Sequence, residues 1–194
     1  VSSFKWKAVN EIHFVAPTKG TEQLFALTVP VINEQTKAAP VQQLTNGNFD
    51  VNGIVGYAGN YAIVTRTDMN HANELYKVDL TSKQLSNLSN ANTKAYEHIK
   101  MSDVKMEYVN TVDGQQMGVW VVYPPDFDPA KKYPTLLYCQ GGPQSALSQF
   151  YSFRWNFQLM AAQGYIVVAP NRRGMPGYGV EWNEQISKDY GGQN

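Results

Sequence analysis

Short runs of alternating apolar and polar residues fill the first hundred positions. Glu11–Ala16, Gln23–Val29, Val51–Val55, Tyr61–Arg66 and Glu74–Asp79 each alternate with period two or carry β-branched and aromatic residues. That pattern predicts half-buried strands. Between them stand turn-forming stretches, Pro17 to Gly20 and Asn46 to Asn48. Short strands at regular spacing with polar turns predict an all-β architecture, a sandwich or a propeller.

A weak internal repeat favours the propeller. Gln23-Leu24-Phe25-Ala26-Leu27 leads to Gln43-Leu44-Thr45-Asn46. Glu74-Leu75-Tyr76-Lys77-Val78 leads to Gln84-Leu85-Ser86-Asn87. The two copies lie about fifty residues apart, near a propeller blade period. The bland alternative is coincidence among similar strands. Blades bury their faces against neighbouring blades, so two alone are expected to need further blades.

The pattern changes near residue 101. Val104–Val109 and Met117–Tyr123 flank Asp113-Gly114, a hairpin signal. Pro124-Pro125 and Asp128-Pro129 mark a loop. The continuous apolar run Thr135–Cys139 predicts a buried strand. It ends in Gln140-Gly141-Gly142-Pro143, where glycines allow backbone N–H groups to approach a ligand. Helical spacing over about 153–163 is closed by Gly164. A strand at 165–170 and a second helix over Glu181–Lys188 follow. Strand, helix, strand, loop and helix predict the start of a parallel α/β sheet.

Composition narrows the function classes. Of 194 residues, 43% are hydrophobic, enough for a folded core. Sixteen basic residues balance sixteen acidic ones, so nothing favours nucleic acid as a partner. No apolar run approaches the ~18–20 residues of a membrane span. The single cysteine, Cys139, excludes an internal disulfide; its place in an apolar run predicts a buried, inert thiol. No phosphate loop, haem motif or zinc spacing is present, so no cofactor or metal is expected. The chain begins and ends mid-pattern and is expected to be a piece of a longer polypeptide.

Three features resemble the prolyl oligopeptidase family of serine peptidases. They are Tyr133-Pro134 followed by a strand and Gly141-Gly142-Pro143; Gly164 through Gly174; and Gly177-Tyr178-Gly179 with Trp182 and the Asp189–Gly192 stretch. The match is similar to the dipeptidyl-peptidase branch, specific in the last sixty or so residues and loose before them. The resemblance implies residues 1–100 as the last blades of a β-propeller. It implies 101–194 as the N-terminal half of an α/β-hydrolase domain, cut before the nucleophile. It implies a peptide substrate, contact with the rest of the same polypeptide, room for a homodimer, and a periplasmic or secreted location. It makes the loop after the 135–139 strand an oxyanion loop, with Gln140, Gly141 and Gly142 as candidate donors. Dipeptidyl-peptidase IV-like members place a Tyr where Gln140 stands. A Gln amide also donates a hydrogen bond, and Tyr138 is a weaker substitute further back in the strand.

The triad is absent. No Gly-x-Ser-x-Gly occurs, and His13, His71 and His98 all precede the hydrolase-like strands, against the order nucleophile, acid, histidine. A His-Asp-Ser order through His98 would have to reach across domains. The chain alone is therefore expected to be inert.

Each remaining candidate has a plainer reading. His13 is expected to be a satisfied blade histidine. Asp68, His71 and Glu74 could hint at a metal, but a solvated loop explains them. Arg172, Arg173 and Gly174 follow a strand end where α/β ligands sit; a salt bridge across the turn is the simpler role. Trp155, Phe157, Leu159 and Met160 make an apolar helix face for core packing. Asp189 lies in a turn, too early for the triad acid. Two other function classes stay open: an esterase or acyl-peptide hydrolase, and a non-catalytic binding fragment.

Overall fold

A computed structural model describes residues 1–30 and 40–192. Its strands form three four-stranded sheets. The first holds β1 (Ser3–Ala8), β2 (Glu11–Thr18), β3 (Thr21–Thr28) and β4 (Val41–Gln43) in that order. The second repeats the plan with β5 (Asp50–Ala58), β6 (Tyr61–Asp68), β7 (His71–Asp79) and β8 (Leu85–Asn87). Both are antiparallel meanders of the kind found in propeller blades. The predicted strands fall within them, except that Val29 lies one residue past β3. Pro17 and Thr18, expected in the turn, extend β2 instead.

The internal repeat lies on the third and fourth strands of both blades, with its second half in a different register. Phe25 pairs with Gln43, and Tyr76 pairs with Asn87. Leu44 N–H donates to Leu24 O, and Leu88 N–H to Leu75 O, both at 2.8 Å. The counterpart of Gln43-Leu44-Thr45-Asn46 is thus Asn87-Leu88-Ser89-Asn90, one overlapping copy later than the sequence pattern suggested.

The blades share a core in which Val15, Leu24, Val51, Ile54, Val64 and Val78 are buried. Lys5 Nζ donates to Val55 O at 2.8 Å, and Lys7 Nζ to Gly59 O at 3.2 Å, binding β1 to β5 and to the turn that follows it. A short helix, α1 (Thr93–Tyr96), follows the second blade.

The third sheet has the order β11-β12-β10-β9, from β9 (Val104–Asn110), β10 (Gln116–Val122), β11 (Thr135–Leu137) and β12 (Ile166–Pro170). The β9–β10 hairpin is antiparallel and turns at Gly114. The β11–β12 pair is parallel, joined by a crossover through α2 (Phe157–Ala162). Trp120, Leu147, Phe157, Val167, Ala169 and Met175 form this unit's core.

Four expectations are corrected here. The 135–139 run is not a buried strand: β11 spans three residues, all exposed, at the sheet edge. Cys139 is past its end and exposed, so the thiol is not a packed core group. The first helix starts at Phe157 because Asn156 caps it, accepting from Gln158 N–H and Leu159 N–H. That leaves Trp155 and Leu159 exposed, while Phe157 and Met160 pack inward. The second helix, α3 (Val180–Glu184), ends early, and buried Ile186 follows in a turn.

Blades and third sheet meet along a seam built by one hairpin tip from each blade. From the β2–β3 tip, Gly20 O accepts from Trp120 Nε1 at 2.9 Å, and Lys19 N–H donates to Gly177 O at 2.9 Å. Gly177 has φ +102°, and a Cβ there would stand 3.2 Å from the Thr18 and Lys19 nitrogens. Only glycine suits so close a backbone approach. From the β6–β7 tip, Met69 is buried in the core of the third sheet's unit. Its N–H donates to Gln149 Oε1 at 3.1 Å. Asn70 adds bonds to Ser102 O and Gln158. Among the described residues no helix is long and apolar enough to cross a membrane.

Candidate active site

Parallel strands end side by side at β11 and β12, and loops diverge from their C-terminal ends. Such a divergence leaves a crevice where α/β proteins hold ligands. Here it opens into a cavity of about 600 Å³ lined by Tyr138, Cys139, Gln140, Arg172, Arg173 and Trp182, among others. Gln140, Gly141 and Gly142 thus lie at its rim or beside it. Gly141 and Gly142 are exposed, and Gly142 has φ +92°, the left-handed region that turns the loop away from the strand. Gln140 Nε2 lies 3.5 Å from Ser145 Oγ, within the same loop. Tyr138 packs its ring edge-on to Phe157, with centroids 4.8 Å apart. That contact makes it an anchor of the loop's root to α2.

Two residues past β12 hold this loop: Arg172, which the sequence singles out but for a salt bridge and not for bonds to carbonyls, and Asn171, which it does not single out. Asn171, fully buried, pairs with the backbone of Leu147. Its Oδ1 accepts from Leu147 N–H at 3.0 Å, and its Nδ2 donates to Leu147 O at 2.9 Å. Arg172 Nη2 donates to Gln140 O at 3.3 Å, and Nη1 to Arg173 O at 3.1 Å. The available signal was a polar triplet directly after an apolar strand.

Arg173 is turned away to a structural task. Nearly buried, it meets Asp113 Oδ2 at 2.5 Å and Gln185 Oε1 at 2.5 Å, and stacks on Trp182 at 5.1 Å. It joins the β9–β10 turn to the segment after α3, as the salt-bridge reading expects. The hydrogen bond from Arg173, with one from Thr111, holds the Asp113 carboxyl down at about 2. Asp189 sits in a turn: its N–H donates to Ile186 O, and its carbonyl accepts from Gly192 N–H.

The other candidates are distant from this crevice. His13 is buried in β2 with Nε2 2.7 Å from Glu11 Oε1. His71 Nδ1 contacts Asp68 Oδ1 at 2.8 Å, which raises the imidazole pKa. Glu74 does not join them. It accepts from Ser89 Oγ and from the N–H groups of Ala91 and Asn92. Burial acts to raise its pKa, but those donors outweigh burial and lower it. His98 lies in the exposed segment after α1.

A carboxylate pair at the seam was not anticipated. Asp50 is almost fully buried where β5 begins, and its Oδ1 accepts from Glu22 N–H at 2.8 Å. Burial pushes its pKa up to about 6, against hydrogen bonds from Ser148, Glu22 and Gln149. Burial, then the charge of Asp50, pushes Glu22 up to about 6.

Comparison with known proteins agrees with this architecture. Residues 3–118 match the family model for the dipeptidyl peptidase IV N-terminal region, and 151–194 match that of the prolyl oligopeptidase family. Dipeptidyl-peptidase 5 of Porphyromonas endodontalis is 42% identical over 94% of this chain and 25% of its own length. The Porphyromonas gingivalis protein of that name is 41% identical over 94% of this chain and 26% of its own. The chain therefore spans about a quarter of these relatives. Among solved structures, Pyrococcus horikoshii acylaminoacyl peptidase superposes with a TM-score of 0.74 at 20% identity, covering 94% of this chain and 26% of that one. That likeness is one of fold: propeller blades followed by the opening of an α/β-hydrolase domain. With residues 3–118, more than half of its length, matched by one model, the chain belongs to the family of the dipeptidyl peptidase IV N-terminal region, and residues 151–194 match the prolyl oligopeptidase family.

Proposed function

We propose that this chain is the propeller–hydrolase junction of a serine exopeptidase of dipeptidyl-peptidase type. In this reading residues 1–100 are propeller blades and 101–194 open the catalytic domain. The parent cleaves a peptide by acyl transfer to a serine, followed by hydrolysis. The nucleophile, acid and histidine come from other parts of the parent polypeptide. This chain supplies the oxyanion loop, with the Gln140 amide and the Gly141 and Gly142 N–H groups as donors to the developing negative charge. The relatives' names support the substrate class, and the reading places the parent in the periplasm or outside the cell.

The observation that carries the reading is the Gln140–Gly142 loop. It leaves a parallel strand at its C-terminal end, exposes two glycines and borders the cavity of about 600 Å³. A preorganised donor acts on the transition state and not on the bound substrate. In the full-length parent, Gln140→Ala should therefore lower kcat by about 10²- to 10³-fold, with little change in KM. An unchanged kcat on dipeptidyl anilides would remove Gln140 from the donor set. A parent that turns over N-acylated peptides or simple esters but no free-amine dipeptidyl substrate would replace the exopeptidase reading with an acyl-peptide hydrolase or esterase.

A further inference from the structure

We propose that Arg172 is a positioning residue for the oxyanion loop, aiming the Gly141 N–H through the Gln140–Gly141 peptide. The proposal rests on the loop's role given above. Arg172 extends from the end of β12 to the loop that follows β11. Its guanidinium donates to two carbonyls, Gln140 O and Arg173 O, and so ties together the two loops that frame the cavity. Its own carbonyl accepts from Trp182 Nε1 at 3.1 Å, which anchors the backbone from which it reaches.

A trans peptide is planar, and its C=O and N–H point in opposite directions. Fixing Gln140 O against Arg172 therefore fixes the direction of Gly141 N–H, away from the arginine. Packing does not supply that direction: a Cβ on Gly141 would meet nothing within 4 Å. Midway along the loop the Asn171 side chain pairs with both backbone groups of Leu147. Adjacent residues thus hold the loop at two points. The Arg172 bond is charge-assisted. It also polarises the peptide and strengthens the opposite N–H as a donor.

The alternative is direct contact between Arg172 and substrate, since it lines the cavity. The two roles separate kinetically. A positioning role lowers kcat and leaves KM alone; a substrate contact raises KM. The experiment uses the full-length parent with Arg172→Met, which keeps the aliphatic stem, and Arg172→Lys, which keeps the charge on a point donor. Each is assayed on a dipeptidyl anilide, titrated with a dipeptidyl boronate that forms a tetrahedral adduct on serine, and melted thermally.

Arg172→Met should lower kcat about a hundredfold, as for a misplaced catalytic geometry, and weaken boronate binding by a similar factor at unchanged KM. Arg172→Lys should fall between Met and wild type. Wild-type kcat and boronate affinity in the Met variant, or a raised KM at wild-type kcat, overturn the proposal. Should the Met variant fail to fold, a Lys variant with wild-type kcat and boronate affinity overturns it. A wild-type parent that neither cleaves the anilide nor binds the boronate overturns the underlying reading instead.

Discussion

The two blades follow one plan and fill it with different chemistry. At the same point of the third strand, the first blade buries Gln23 and the second buries Glu74. In both, a hydroxyl from the fourth-strand segment bonds to this side chain and accepts the next residue's N–H. Thr45 does so for Gln23 and Leu24, Ser89 for Glu74 and Leu75. Their remaining partners differ. Gln23 Nε2 must donate to Gly47 O and Phe49 O, whereas Glu74 must accept from two further N–H groups. An amide offers donors and an acceptor, a carboxylate acceptors only. The backbone around each site thus selects the residue type. The apolar neighbours diverge as well: Leu24 is 0% exposed and Leu75 39%.

Exchanging the two residues tests that explanation most strongly. In the full-length protein, Gln23→Glu should cost about 3–5 kcal/mol by setting a buried charge against two carbonyls. Glu74→Gln, which turns an amide towards donors, should cost only about 1–2 kcal/mol. Equal costs in chemical denaturation would break the comparison.

The next test concerns the hairpin tips. The first blade presents backbone at Gly20, the second a side chain at Met69. Met69→Ala should cost about 2–3 kcal/mol through the cavity it leaves. A cost near zero would mean that the Met69 side chain does not hold the second tip, leaving its backbone and the Asn70 side chain to do so.

The smallest effect is a dependence on pH. Glu22 of the first blade and Asp50, where the second blade begins, have folded pKa values raised to about 6. Burial disfavours their charged forms, so the stability they contribute is greatest below about pH 4 and falls as pH rises to about 6. Relative to Asp50→Asn, the wild type should gain at most a few degrees in melting midpoint between pH 7 and pH 4.5. A loss over that range would reverse the assigned sign.

Strands and hairpins were readable because their information is local: alternation, Asp113-Gly114, and glycines at turns. The repeat's register was ambiguous because Gln84-Leu85-Ser86-Asn87 overlaps Asn87-Leu88-Ser89-Asn90. Only the pairing of β8 with β7 chooses between them. Cys139 was misread because apolar content does not reveal whether a strand lies at an edge. The loop at Gln140–Gly142 was visible as glycine after a strand. Its supports, Asn171 and Arg172, depend on contacts some thirty positions away that no local pattern encodes.

The seam has a mechanical consequence. Two tips, one anchored through Trp120 and Gly177 and the other through Met69 and Gln149, fix the blade pair to the third sheet at separate points. A single point would act as a swivel; two define an axis. Any swing of the blades relative to that sheet must pivot about this line, with the widest travel on the side farthest from it.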